Sequence, residues 1–186
     1  MSRGIQDRNV LERFALGFCE IVERHCPYII VSGFVAIASG RTRATEDIDM
    51  ILPRIDKARF TDLHQDLVKA GFEVMQGGSS ASIYDHYLKD GLSIRYIRVG
   101  SPLPEMEVKL AKDPLDEYQL KTRMKIPLTG LDLWFSSIDM NIAFKEELLK
   151  SAKDLEDAAH LRRVFTGQVD EKEIKSIKAL IKRYRL

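Results

Sequence analysis

Val10, Leu11, Phe14, Phe18, Ile21 and Val22 recur at the interval of one helix face, which predicts an amphipathic helix over about 5–25, ended by Pro27. An apolar run over 28–31 reads as a strand. Gly33 then opens a short helix of small residues to about 39, and a second strand follows over 47–52. Residues 56–70 put Phe60, Leu63 and Leu67 on one helix face closed by Gly71, and 72–75 reads as a third strand. Gly77-Gly78-Ser79-Ser80 predicts a flexible turn. Residues 92–99 alternate as a strand does, whereas 103–111 fits either a strand or irregular structure. A helix with proline at its start covers 114–124, and a short strand 131–135. Beyond that the pattern is helical only, over about 138–150, 154–165 and 171–184. The expected architecture is α/β (α+β): a small mixed sheet flanked by helices over 1–136, with a helical C-terminal part, 137–186, packed on it.

The chemistry concentrates in the second strand. Residues two apart share a strand face, so Asp47 and Asp49 point one way while Ile48 and Met50 point into the core. Two anions left dry and unpaired within the apolar run Ile48–Leu52 would cost several kcal/mol, roughly. Something positive must meet them. A divalent metal is the economical partner; Arg41, Arg43 and Arg95 acting as plain counter-charges are the alternative.

Composition narrows the field. The 186 residues carry 29 Lys and Arg against 28 Asp and Glu, so no overall charge favours nucleic acid or a membrane surface. The longest apolar stretch, 28–38, is interrupted by Ser32 and Gly33 and is far short of the roughly 20 residues of a membrane helix. With no secretory leader pattern at the start, a cytoplasmic protein without membrane contact is expected. Cys19 and Cys26 fit no zinc spacing and read as small buried hydrophobes. The four histidines lack metal-ligand spacing, and Trp134 reads as core.

The Ser32-Gly33 turn is separated by thirteen residues from Asp47, and between them lies Gly40-Arg41-Thr42-Arg43-Ala44-Thr45. With the Asp-hydrophobic-Asp strand, this resembles the nucleotidyltransferase superfamily typified by DNA polymerase beta. The likeness is closest to its minimal prokaryotic branch, which includes the nucleotidyltransferases of type IV abortive-infection toxin systems. Lys145 on a helix, followed by Lys153-Asp154-Leu155-Glu156-Asp157, resembles a second block of that branch. The resemblance implies transfer of a nucleoside monophosphate from a triphosphate to a hydroxyl on an RNA, protein or small molecule, with Mg2+ (or Mn2+) held by Asp47 and Asp49. It places Ser32 and Gly33 on the triphosphate through backbone N–H groups, with Arg41, Arg43 and Lys145 compensating its charge. It also admits a partner protein encoded by a neighbouring gene.

Active members carry a third carboxylate on a later strand. Arg95 falls at the expected position in 92–99, with Asp90 or Glu107 as substitutes if the strand alignment slips. A guanidinium there would repel metal and bind Asp47 or Asp49, leaving a catalytically inactive module of the same fold as the alternative function. Asp154 and Asp157 equally suit a plain helix start. Lys172, Lys175, Lys178 and Lys182 form a stripe read as a solvated face rather than an RNA-binding one.

Overall fold

Five strands, β1 (Ile29–Val31), β2 (Asp47–Leu52), β3 (Phe72–Val74), β4 (Ile94–Arg98) and β5 (Ser101–Leu110), form one mixed sheet in the order β1-β2-β5-β4-β3. β2 and β5 run parallel and the remaining neighbours antiparallel. The computed structural model describes residues 3–186, with side chains from Val10 onward. Its helices are α1 (Arg3–Glu23), α2 (Gly33–Ala38), α3 (Lys57–Lys69), α4 (Ser80–Ile83), α5 (Pro114–Lys121), α6 (Ile138–Phe144), α7 (Ala152–Val164) and α8 (Glu171–Arg185). α4 continues as a π turn over Tyr84–Leu88, and α6 over Lys145–Leu149.

The undecided segment 103–111 is the long central strand β5. Pro102 and Pro104 lie at its start, where a proline is tolerated, and beyond them Glu105, Glu107 and Lys109 alternate strictly with buried Met106, Val108 and Leu110. By contrast, 131–135 forms no strand. Its Phe135 makes single bridges to Ile30 and Met124, and this segment lines the open side of β1. The turn expected over 77–80 ends at Ser79; residues 80–88, for which no element was expected beyond Ser80, are helical, and the Ser79 hydroxyl caps them by accepting from the backbone of Ser82.

One face of the sheet is apolar. Ile48, Met50, Leu52, Ile94, Tyr96, Met106 and Val108 are at most 2 % exposed and join one cluster with Phe14 and Phe18 of α1 and Phe60, Leu63 and Leu67 of α3. That cluster continues into the C-terminal helices through Ile142, Leu161, Phe165, Ile174, Ile177 and Ile181. Ile174, Ile177 and Ile181 repeat at three and four residues, so α8 buries one stripe and leaves Lys172, Lys175 and Lys182 exposed, while Lys178 is half-buried against Glu146. Cys19 and Cys26 are buried free thiols, as read from the sequence. Trp134 is not core. It lies half-buried at the sheet edge beneath the Arg123 guanidinium and the Lys125 ammonium, 4.2 and 4.5 Å from its ring, and donates to Glu23.

The other sheet face carries Asp47, Asp49 and Ile51 of β2 beside Glu105, Glu107 and Lys109 of β5. It has only a small apolar cluster of its own, Ile29, Ile51 and Ala111. The two faces differ in chemistry because side chains alternate across a strand.

Candidate functional site

Register assembles the acids. Asp47 stands opposite Glu105, and Asp49 opposite Glu107, across neighbouring strands about 4.8 Å apart. Arg95 on β4 stands opposite Glu107 from the other side. The third carboxylate beside the pair is therefore Glu107 of β5, and the expectation that Arg95 takes its place is corrected. β4 is not adjacent to β2; β5 is inserted between them, so a residue of β4 is one strand too far away. Arg95 binds neither Asp47 nor Asp49. Its Nη2 donates to Glu107 at 2.9 Å and its Nε lies 3.3 Å from Glu105, on a side chain 46 % exposed.

The acids outnumber their counter-charges. Burial, then the charges of Glu107 and Asp47, raise the Asp49 pKa to about 6, while Lys109 and a hydrogen bond from Ser32 pull it down. Thr45 Oγ1 lies 3.1 Å from Asp47 Oδ1 and fixes that carboxylate. Among the described residues no three carboxylate, histidine or cysteine groups stand in metal-holding array, and Glu107 is engaged by Arg95. The chemistry of the donor set nevertheless fits a hard divalent cation: oxygen ligands only, like-charged and partly dry.

Ser32, at the turn before α2, has φ 66° and ψ −135°, a region that glycine enters far more readily than serine. The backbone there is glycine-like in spite of the side chain. At Gly33 the space a Cβ would fill is taken by the Arg43 guanidinium. A side chain at this position would push the Arg43 guanidinium off Asp157.

The three cations expected on the phosphate path converge on one residue of α7. Arg41 Nη1, Arg43 Nη2 (3.0 Å) and Lys145 Nζ (2.9 Å) all bind Asp157, which is fully buried. Arg41 also pairs with Glu156, and Lys145 reaches Asp154 at 3.4 Å. Asp154 does begin a helix, bonded to the Ser151 cap, but Asp157 is an interior ion-pair centre rather than a helix-start residue. It ties the loop after α2 to α7 and to the π turn that carries Lys145.

A cavity of about 190 Å³ opens between the acidic sheet face and the C-terminal helices. Asp49, Ser32, Lys109 and Lys145 line one part of it, and Asn141 and Phe144 belong to its α6 wall. Of the residues named from sequence, the structure brings Asp49, Ser32 and Lys145 to one cavity, keeps Asp47 beside them on β2, and sets Arg41 and Arg43 behind Lys145 against Asp157. Glu107, Lys109 and Asp157 carry more of the arrangement than the sequence reading assigned them. For the first two the signal was present in the strict alternation from Glu105 to Leu110; Asp157 belonged to the second block of the resemblance, but nothing local signalled its burial, which depends on what packs over that helix position.

No protein-family model matches the sequence, and no curated protein matches it. Solved structures do. The chain is similar to the solution structure of the antibiotic-resistance factor ANT(2'')-Ia, with a TM-score of 0.56 at 15% identity over 94% of this chain and 92% of that one. It is also similar to an antigenic nucleotidyltransferase-like protein from Paracoccidioides brasiliensis, with a TM-score of 0.54 at 15% identity over 96% and 89% of the two chains. The likeness spans nearly the whole of each chain, covering the sheet and the C-terminal helices together. The chain therefore has the nucleotidyltransferase fold.

Proposed function

We propose that the protein is a metal-dependent nucleotidyltransferase that moves a nucleoside monophosphate from a nucleoside triphosphate to a hydroxyl acceptor. The observation that carries this reading is the Asp49–Glu107 register with Asp47 alongside: three carboxylates on one face of adjacent strands, of which Asp49 lines the cavity. Asp47, Asp49 and Glu107 would hold Mg2+ or Mn2+, which supplies Lewis-acid polarisation of the phosphoryl oxygens and charge neutralisation.

In the reaction the acceptor oxygen bonds the α-phosphorus, the bond from that phosphorus to the bridging oxygen breaks, and pyrophosphate leaves. The hydroxyl proton passes to a carboxylate of the trio. Ser32 and Gly33 would orient the phosphates through backbone N–H groups. Lys145, anchored by Asp157, presents a fixed positive charge to the cavity. Arg41 and Arg43 act behind it, holding Asp157 and so the position of Lys145.

The decisive test is a thermal-shift titration with each of the four nucleoside triphosphates, with and without Mg2+ or Mn2+. Ligand at a hundredfold its dissociation constant should add about 2.7 kcal/mol. That metal-dependent shift should vanish in Asp49→Asn. A nucleotide shift that ignores both metal and Asp49→Asn would sink the metal-dependent reading.

A second reading rests on the Arg95–Glu107 ion pair: a nucleotide- or partner-binding module in which the guanidinium replaces the metal. It expects nucleotide binding without metal and no transfer of label from an α-labelled triphosphate. The resemblance to the toxin branch adds a partner protein from a neighbouring gene, tested by co-purification of the two products.

A further inference from the structure

We infer that Lys109 is the residue that grips the polyphosphate of the nucleotide, an inference that rests on the nucleotidyltransferase reading and assigns that site a cation the sequence pattern did not single out. Three basic side chains line the cavity: Lys109, Lys145 and Arg185. Lys145 is held by Asp154 and Asp157, and Arg185 by Asp113 and Asp116. The Lys109 side chain, among the described residues, makes no direct hydrogen bond or salt bridge and acts on Asp49 only through its charge. It stands on β5 two residues after Glu107 and opposite Ile51, so it leaves the sheet on the same face as Asp49 and Glu107.

The central strand thus presents beside the acids an ammonium held by no direct contact, though its charge already acts on Asp49. A polyphosphate delivered to that spot would otherwise lie against Asp47, Asp49 and Glu107, anion beside anion. An ammonium with three rotatable donors suits phosphate oxygens whose positions change as pyrophosphate departs. Partial burial strengthens the attraction, and no existing ion pair has to be broken first.

The test is calorimetric titration of the full chain in Mn2+ with the best-binding nucleoside triphosphate and with the matching monophosphate, for the native protein, Lys109→Met, Lys109→Arg and Asp49→Asn. Lys109→Met should weaken the triphosphate by about tenfold or more, as loss of one charge-assisted hydrogen bond does. It should leave the monophosphate within about twofold, and Lys109→Arg should restore most of the loss. Equal weakening of both ligands, or none of either, overturns the assignment. If triphosphate binding disappears in Asp49→Asn but is indifferent to Lys109→Met, the nucleotidyltransferase reading stands and the role of Lys109 alone fails. If the native chain binds no triphosphate with metal, both fail together.

Discussion

Two charged regions flank the same cavity, and they are built on opposite plans. Around Asp157, three cations (Arg41, Arg43, Lys145) meet three acids (Asp154, Glu156, Asp157) in direct contacts, so that the cluster is closed in charge, with Arg43 Nε left buried and without a partner among the described residues. On the sheet face, among the described residues, four carboxylates (Asp47, Asp49, Glu105, Glu107) face the cations Arg95 and Lys109, and burial together with the neighbouring carboxylates raises the Asp49 pKa to about 6. A cluster that satisfies itself holds structure together; one left with surplus charge is prepared for a ligand of the opposite sign. The fully buried position of Asp157 against the exposed position of Asp47 makes the same distinction in terms of solvent.

The comparison breaks most readily at its closed end. Asp157→Ala should destabilise by about 3 to 5 kcal/mol, because it leaves buried cations without their partner. Chemical denaturation measures this, and a loss below about 1 kcal/mol would mean that the three contacts are not the closed centre described.

At the open end the sign reverses. Between pH 3.8 and about 6 the native chain keeps a proton on Asp49 that the unfolded chain has released, so this group's contribution falls as pH rises through that window and stays low above it. Asp49→Asn should therefore stabilise the metal-free protein by about 1 to 3 kcal/mol at pH 8, and by nearly nothing at pH 3.5. Mn2+ at pH 8 should stabilise the native chain and leave the variant unmoved. Unfolding curves at the two pH values, with and without metal, report all three.

A smaller effect is expected at Arg95. As an ion pair on a side chain 46 % exposed, it should contribute under about 1 kcal/mol to stability. Arg95→Ala should instead tighten Mn2+ binding several-fold, since it frees Glu107; unchanged or weaker metal affinity would show that the guanidinium does not compete with the ion. The smallest change is Ser32→Gly. It relieves a strained backbone worth about 1 kcal/mol but removes the hydroxyl that holds Asp49, so melting temperature should shift little while the Asp49 titration moves upward.

The sequence by itself determined the pieces whose physics is local. Helix-face spacing in α1, α3 and α8, alternation in β2, and the proline and glycine boundaries follow from neighbours a few residues away. So does the pairing of Asp47 and Asp49 on one face, along with the motif that resembles the family. What the tertiary structure alone decided is which strand lies next to β2. The insertion of β5 between β2 and β4 places Glu107, not Arg95, against Asp49, and no local signal sets strand order. It likewise decided that Asp157 of α7 would be buried under Arg41, Arg43 and Lys145. A strand's neighbour and a helix residue's cover are set by contacts between segments far apart in sequence, so the residue that completes an ionic site is fixed only when those segments meet.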